Sequence, residues 1–245
     1  SEAVSLLFFI IYTGTTADKR KYGFRRAFTF RPHLLKGMLS ISGWTMVQSF
    51  ISVSIWFIFF LAIEHLGERP LAVTNIVRNI SALLIMVISA FATTAGALIS
   101  NQIGAGEQRY LFRTCGMTLN LTYAILVPLL VILCLFPEPV LRVFTDNPSL
   151  IAASINSVYV MSTSTLIMAP AFILFNAVSG TGNTKAGFIM EMISLTVYTA
   201  AVYYIVIRLK PDVALCWFSE HVYGIALIAL AWWYLKSGKW RGKKV

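Results

Sequence analysis

Six long apolar runs, separated by short polar links, constrain this chain more than any other feature. They lie at about 37–63, 70–99, 110–136, 150–179, 186–208 and 213–235. A helix needs about 20 residues to cross the hydrocarbon core of a bilayer, so each run is long enough to span it. Spanning segments of this kind must satisfy every backbone polar group internally, which a helix does. The sequence therefore predicts an all-α, polytopic integral membrane bundle of six spanning helices. Composition agrees, with 58% hydrophobic residues against 12% charged, about half the usual charged share of a soluble domain.

The segment before the first run divides in two. Residues 1–14 are apolar but too short to span, and they lack the basic start and small-residue cleavage site of a signal peptide. They read as the end of a truncated transmembrane helix, which makes the chain a piece of a longer protein. Residues 15–36 form a basic loop containing KRKYGFRR. The six-helix lobe is then 37–236, followed by a basic tail at 237–245.

Lys and Arg counts orient the bundle. The 14–36 loop holds seven, the 101–113 loop two, Lys185 one and the tail with Lys236 five, whereas the opposite side holds Arg69, Arg142, Arg208 and Lys210. This bias puts the loop and the C-terminus in the cytoplasm. The net charge of +10 is spread between apolar runs rather than gathered on one polar face, so no nucleic-acid partner is expected. Cys115, Cys134 and Cys216 have no metal-type spacing and read as free thiols. His33, His65 and His221 are scattered and read as loop or interfacial residues. No Walker loop, HExxH or GxSxG motif is present, so no catalytic residue, metal or cofactor is expected.

Charges at membrane depth are costly, about 2.5–3.5 kcal/mol on the insertion scale, and so mark candidate sites. Glu191 lies in the fifth run and is taken as the only carboxylate at membrane depth. Gly187, Ser194 and Tyr198 share its helix face, a small and polar strip suited to the wall of a hydrated cavity. A carboxyl there can be neutral or charged as its hydration changes, which proton coupling requires; the alternative is a structural Glu paired to a basic group. Arg78 lies in the second run, where Asn75, Asn79, Ala82, Met86 and Ala90 form a stripe that can pack on a neighbour or line a cavity. Arg78 either snorkels outward or makes a structural pair. Trp44, Gln48 and Ser52 put an aromatic ring, an amide and a hydroxyl on one face of the first run, suited to a flat amphipathic ligand or to interhelical hydrogen bonds. The fourth run carries Asn156, Thr163, Ser164 and Asn176, and Pro170 predicts a kink that frees a backbone carbonyl toward a cavity. Pro128 is expected to act similarly in the third run.

Three turns resemble those of one family. The stretch AFATTAGALISNQIGAGE, with Ala95, Asn101, Gln102, Gly104, Ala105 and Gly106, is similar to a small-residue run followed by a [VS]-x-Q-x-x-G-A-G turn. FTDNPSLI, from Phe144 to Ile151, is similar to an FTxDPxVI loop. SGTGNTK, from Ser179 to Lys185, is similar to a GxGDT[RK] turn. Together and in this order they resemble the multidrug and toxic compound extrusion (MATE) family over residues 33–236.

The resemblance implies helices 7–12 of a twelve-helix, two-lobe fold, with residues 1–32 as the end of helix six and the interlobe loop. It implies a secondary antiporter in a bacterial cytoplasmic (inner) membrane, exporting amphipathic cations in exchange for H⁺ or Na⁺. Its partners would be membrane lipid and the N-terminal lobe. A lipid-linked oligosaccharide flippase of the same superfamily and a non-transporting structural fragment are the alternatives. Sodium-coupled members carry a Glu in helix seven and an Asp in helix ten, positions that fall near Ser52 and Met168 here. Neither is acidic, so the resemblance implies loss of that site and leaves Glu191 for coupling or gating. Glu191, Arg78, Asn79, Gln48, Asn176, Trp44 and Tyr198 are the expected ligand-facing residues.

Overall fold

The computed structural model describes residues 2–16, 32–238 and 240. Most of the 15–36 loop and of the 237–245 tail lies outside the described residues. Helices are α1 Glu2–Thr16, α2 Pro32–Glu64, α3 Glu68–Gly104, α4 Leu111–Leu135, α5 Pro137–Arg142, α6 Pro148–Gly180, α7 Thr184–Val202, α8 Val213–Cys216 and α9 Phe218–Ser237. The helix α1 thus runs to Thr16 and α2 starts at Pro32, both inside the stretch 15–36. Six segments are long and apolar enough to span: Ser42–Glu64, Glu68–Gly104, Gln108–Leu135, Pro148–Gly180, Thr184–Leu209 and Val213–Ser237. The chain is a multi-pass helical membrane protein.

It divides into two compact units, Ser1–Ile41 and Ser42–Val245. The first contains α1, whose apolar stretch Leu6–Thr15 is shorter than a span. The second contains all six spanning segments.

Local sequence sets the helix ends. Asn147 precedes Pro148 and accepts the Ser149 N–H at 3.0 Å, an N-cap followed by a proline at the position where no donor is needed. Asn183 caps α7 by accepting from the Ala186 N–H. After α3, the Ala105 N–H bonds the Asn101 carbonyl and the Glu107 N–H bonds that of Gln102, while Gly106 takes a φ of 78°. Glycine adopts that left-handed conformation without a Cβ penalty, so the GAGE segment stops the helix as its composition predicted. Gln102 then exchanges hydrogen bonds with Thr114 of α4, which fixes the turn to the next helix.

The helix α6 is the centre of the second unit. It packs against α3, α4, α5, α7, α8 and α9, and 56% of its most apolar stretch is buried, against 22% for α2. One core joins α3, α4 and α6 through Val77, Ile88, Leu126 and Met161. A second, at the end bearing the SGTGNTK turn, joins α3, α6 and α9 through Ala92, Ala177 and Ala231. A third fixes the later half of α2 to α7 through Phe59, Ile63 and Val202.

The helix α6 runs on through Pro170. Proline offers no N–H to the Leu166 carbonyl one turn earlier. The Tyr123 hydroxyl of α4 donates to that carbonyl at 2.8 Å. The freed acceptor is therefore used in helix packing. Between α7 and α8 the chain passes through a π-helical turn, Tyr203–Leu209, that sequence periodicity did not reveal.

Candidate functional site

A cavity of about 380 Å³ opens among α2, α3, α6, α7 and α9, within the size range of small-ligand sites. From α2 it receives Ser52 and Trp56, from α6 Met168 and Phe172, and from α7 Glu191. Glu191 is only 4% exposed. Its Oε1 accepts from the Ser52 hydroxyl at 2.9 Å and from the Tyr223 hydroxyl at 2.9 Å. Its Oε2 has no hydrogen-bond partner among the described residues. A buried carboxylate normally collects several donors or a counter-charge, so a buried carboxyl oxygen without a partner is the unusual feature here.

The sequence reading of Glu191 needs two corrections. Its helix face is not a small polar wall: Gly187 packs against Phe175 and Ser179, Ser194 is fully buried, and Leu195 lines the cavity with Tyr198. Nor is Glu191 the only carboxylate at depth. Glu220 of α9 lines the same cavity and accepts from the Tyr198 hydroxyl at 3.0 Å. Glu220 was missed because it stands in the first turn of α9, where an acid has an ordinary role beside the helix N-terminus. Only the fold shows that this turn lies beside Glu191.

The other candidate residues separate into groups. On α2, Ser52 reaches Glu191, and Trp44 meets Phe188 of α7 in a tilted contact with centroids 5.1 Å apart, its ring lying 6.0 Å from Lys185 Nζ. Gln48 is half-buried between them in sequence. This face of α2 therefore meets α7. The Arg78 guanidinium lies over the rings of Phe60, at 5.0 Å, and Trp56, at 5.9 Å. Arg78 thus has aromatic faces as neighbours, a cation–π arrangement. Asn79 is exposed on a stripe with Ala82, Met86 and Ala90, so the stripe faces away from the core of this unit. Asn176 is not at the cavity; its amide donates to the Phe172 carbonyl at 2.9 Å, and its backbone borders Gly96. His221 is not in a loop: Nε2 meets the Thr163 hydroxyl at 2.9 Å, and the ring stacks on Phe218. Cys115, Cys134 and Cys216 are free thiols.

The family model for MatE matches residues 45–205, the part of the chain that builds the cavity apart from its α9 side. The chain belongs to the MATE family. A curated relative, the probable multidrug resistance protein NorM of Thermotoga maritima, is 24% identical over 213 residues, covering 86% of this chain and 46% of that protein. The MATE transporter VcmN of Vibrio cholerae in its bent form superposes with a TM-score of 0.76 at 16% identity, over 85% of this chain and 48% of VcmN. A MOP-superfamily transporter from Pyrococcus furiosus, described as having a binding pocket of reversed polarity, superposes with a TM-score of 0.72 at 12% identity, over 81% of this chain and 44% of that one. The chain spans about half the length of the relatives it matches.

Seen in this family, the cavity gains a meaning. Ser52 and Met168, near which the resemblance placed the acids of sodium-coupled members, both line it. The acids at this cavity come instead from α7 and α9.

Proposed function

We propose that this chain is the C-terminal lobe of a secondary active antiporter that exports cationic or amphipathic drugs in exchange for H⁺ or Na⁺. The observation that carries the reading is Glu191: a buried carboxyl lining a cavity, with one oxygen that has no hydrogen-bond partner among the described residues. The name of the Thermotoga maritima relative, a probable multidrug resistance protein, supports the drug as cargo. An inward ion gradient supplies the energy; one charge crossing 100 mV contributes about 2.3 kcal/mol. The transport pathway requires a second six-helix lobe facing this one, so that a central cleft opens alternately to the two sides. The lobe sits in a bacterial inner membrane with its C-terminus in the cytoplasm, as the Lys and Arg bias supports.

The flippase reading is weaker. A phosphate-bearing headgroup favours a cationic pocket, whereas Glu191 and Glu220 line this one and, among the described residues, no Lys or Arg does.

Drug efflux from a hypersensitive bacterial strain tests the proposal. In the full-length transporter, E191Q is expected to lower efflux by at least about tenfold, equivalent to about 1.4 kcal/mol, and to flatten its dependence on external pH. Wild-type efflux by E191Q at every pH overturns the role of Glu191. Headgroup-labelled lipid flipping without drug efflux overturns the antiporter reading.

A further inference from the structure

Glu191 and Glu220 are joined by a crossed set of hydrogen bonds. Tyr223 of α9 donates to Glu191 of α7, and Tyr198 of α7 donates to Glu220 of α9. Each helix thus carries one acid and the donor for the other helix's acid. The two rings meet edge to face with centroids 5.8 Å apart and an interplanar angle of 71°. Both acids border one mainly apolar cavity. Among the described residues, the elements around it bring no counter-charge to its lining: α2 gives Ser52, Val53 and Trp56, α3 gives Ile85, and α6 gives Met168 and Phe172. Arg78 of α3 is turned onto the Phe60 and Trp56 rings. His221, next to Glu220 in α9, is engaged by Thr163.

We infer that Glu191 and Glu220 form a single site that holds one monovalent cation, a proton or a sodium ion, between α7 and α9. Two carboxylates sharing an apolar space cannot both stay charged without a positive partner; a proton on one of them, or one small cation beside them, relieves the repulsion. Ser52 and Tyr223 both donate to Oε1 of Glu191, so Oε2, buried and without a partner among the described residues, is the oxygen that cation would meet. A hard cation such as sodium suits carboxylate and hydroxyl oxygens, which are the polar atoms at the cavity. The crossed tyrosines hold the acids in place and are positioning residues. The site deepens the proposed function, and it rests on that reading only for its use in transport.

The test measures cation uptake by the purified full-length transporter, separately from export. Radioactive sodium binding gives affinity and stoichiometry, and the infrared band of protonated carboxyl groups, followed through a pH titration, reports the proton. One sodium per chain, or one carboxyl band that titrates, is expected. E191Q and E220Q should each weaken uptake by at least about tenfold, with the double variant no worse than the weaker single one. Y198F and Y223F should shift affinity or the titration midpoint without changing the stoichiometry, and thermal melting confirms that each variant is folded. Unchanged uptake in folded E220Q, two independently titrating sites, or no uptake of either cation by the wild type overturns the inference. Intact binding by a wild type that exports no drug upholds the site and overturns the antiporter reading.

Discussion

Gly96 and Gly180 meet where α3 crosses α6. A Cβ at Gly180 would stand 2.5 Å from the Gly96 carbonyl oxygen, and one at Gly96 would stand 2.9 Å from that of Asn176. Both obstacles are backbone, which cannot swing aside as a side chain can. Gly180→Ala is therefore expected to force the helices apart and cost about 1–3 kcal/mol, whereas Gly116→Ala, with nothing within 4 Å of the new methyl, should be neutral or slightly stabilising. Thermal unfolding in detergent distinguishes them, and equal melting temperatures would refute the close-packing account. The two glycines belong to the small-residue stretch and the SGTGNTK turn that carried the family resemblance. The motifs were visible as spacing, but their purpose was not, because a close helix crossing joins residues far apart in sequence. The same limit hid Glu220. Periodicity along α7 shows which residues share Glu191's face, but it cannot name the acid that α9 brings to it.

At the scale of the helices, the six spans were legible because long apolar runs leave few alternatives. Their ends were legible where chemistry is local, as at Asn147 and Asn183, and less so at α2, whose helix begins at Pro32 inside a stretch that reads as polar loop. Pro170 shows how a correct local rule can miss its outcome. Proline does free the Leu166 carbonyl, but a tyrosine of α4 answers it. Within a bilayer no water is at hand to substitute for that donor. Tyr123→Phe should therefore destabilise the lobe by about 1–3 kcal/mol, the cost of an acceptor left unsatisfied away from water, read as a lower melting temperature. Unchanged stability would mean that the carbonyl is satisfied in another way. The outward-facing stripe on α3 follows similar logic: its exposed Asn79 and Met86 are suited to a cleft or a second lobe, as the proposed two-lobe transporter requires.

For the whole molecule, the charge bias makes a claim that side-chain packing does not. If the C-terminus is cytoplasmic, a C-terminal green fluorescent reporter should fluoresce and a C-terminal alkaline phosphatase should be inactive; the reverse pattern overturns the orientation. The membrane assignment itself would survive, since it rests on span length and composition. The crossed Glu–Tyr pairs have a further consequence for anyone building hybrids from related transporters. Grafting a foreign α9 onto this α7 removes a donor and an acid at one stroke, and it leaves behind a tyrosine with nothing to hold and a carboxyl with one donor fewer. These two helices are a single heritable module, to be exchanged together or left alone.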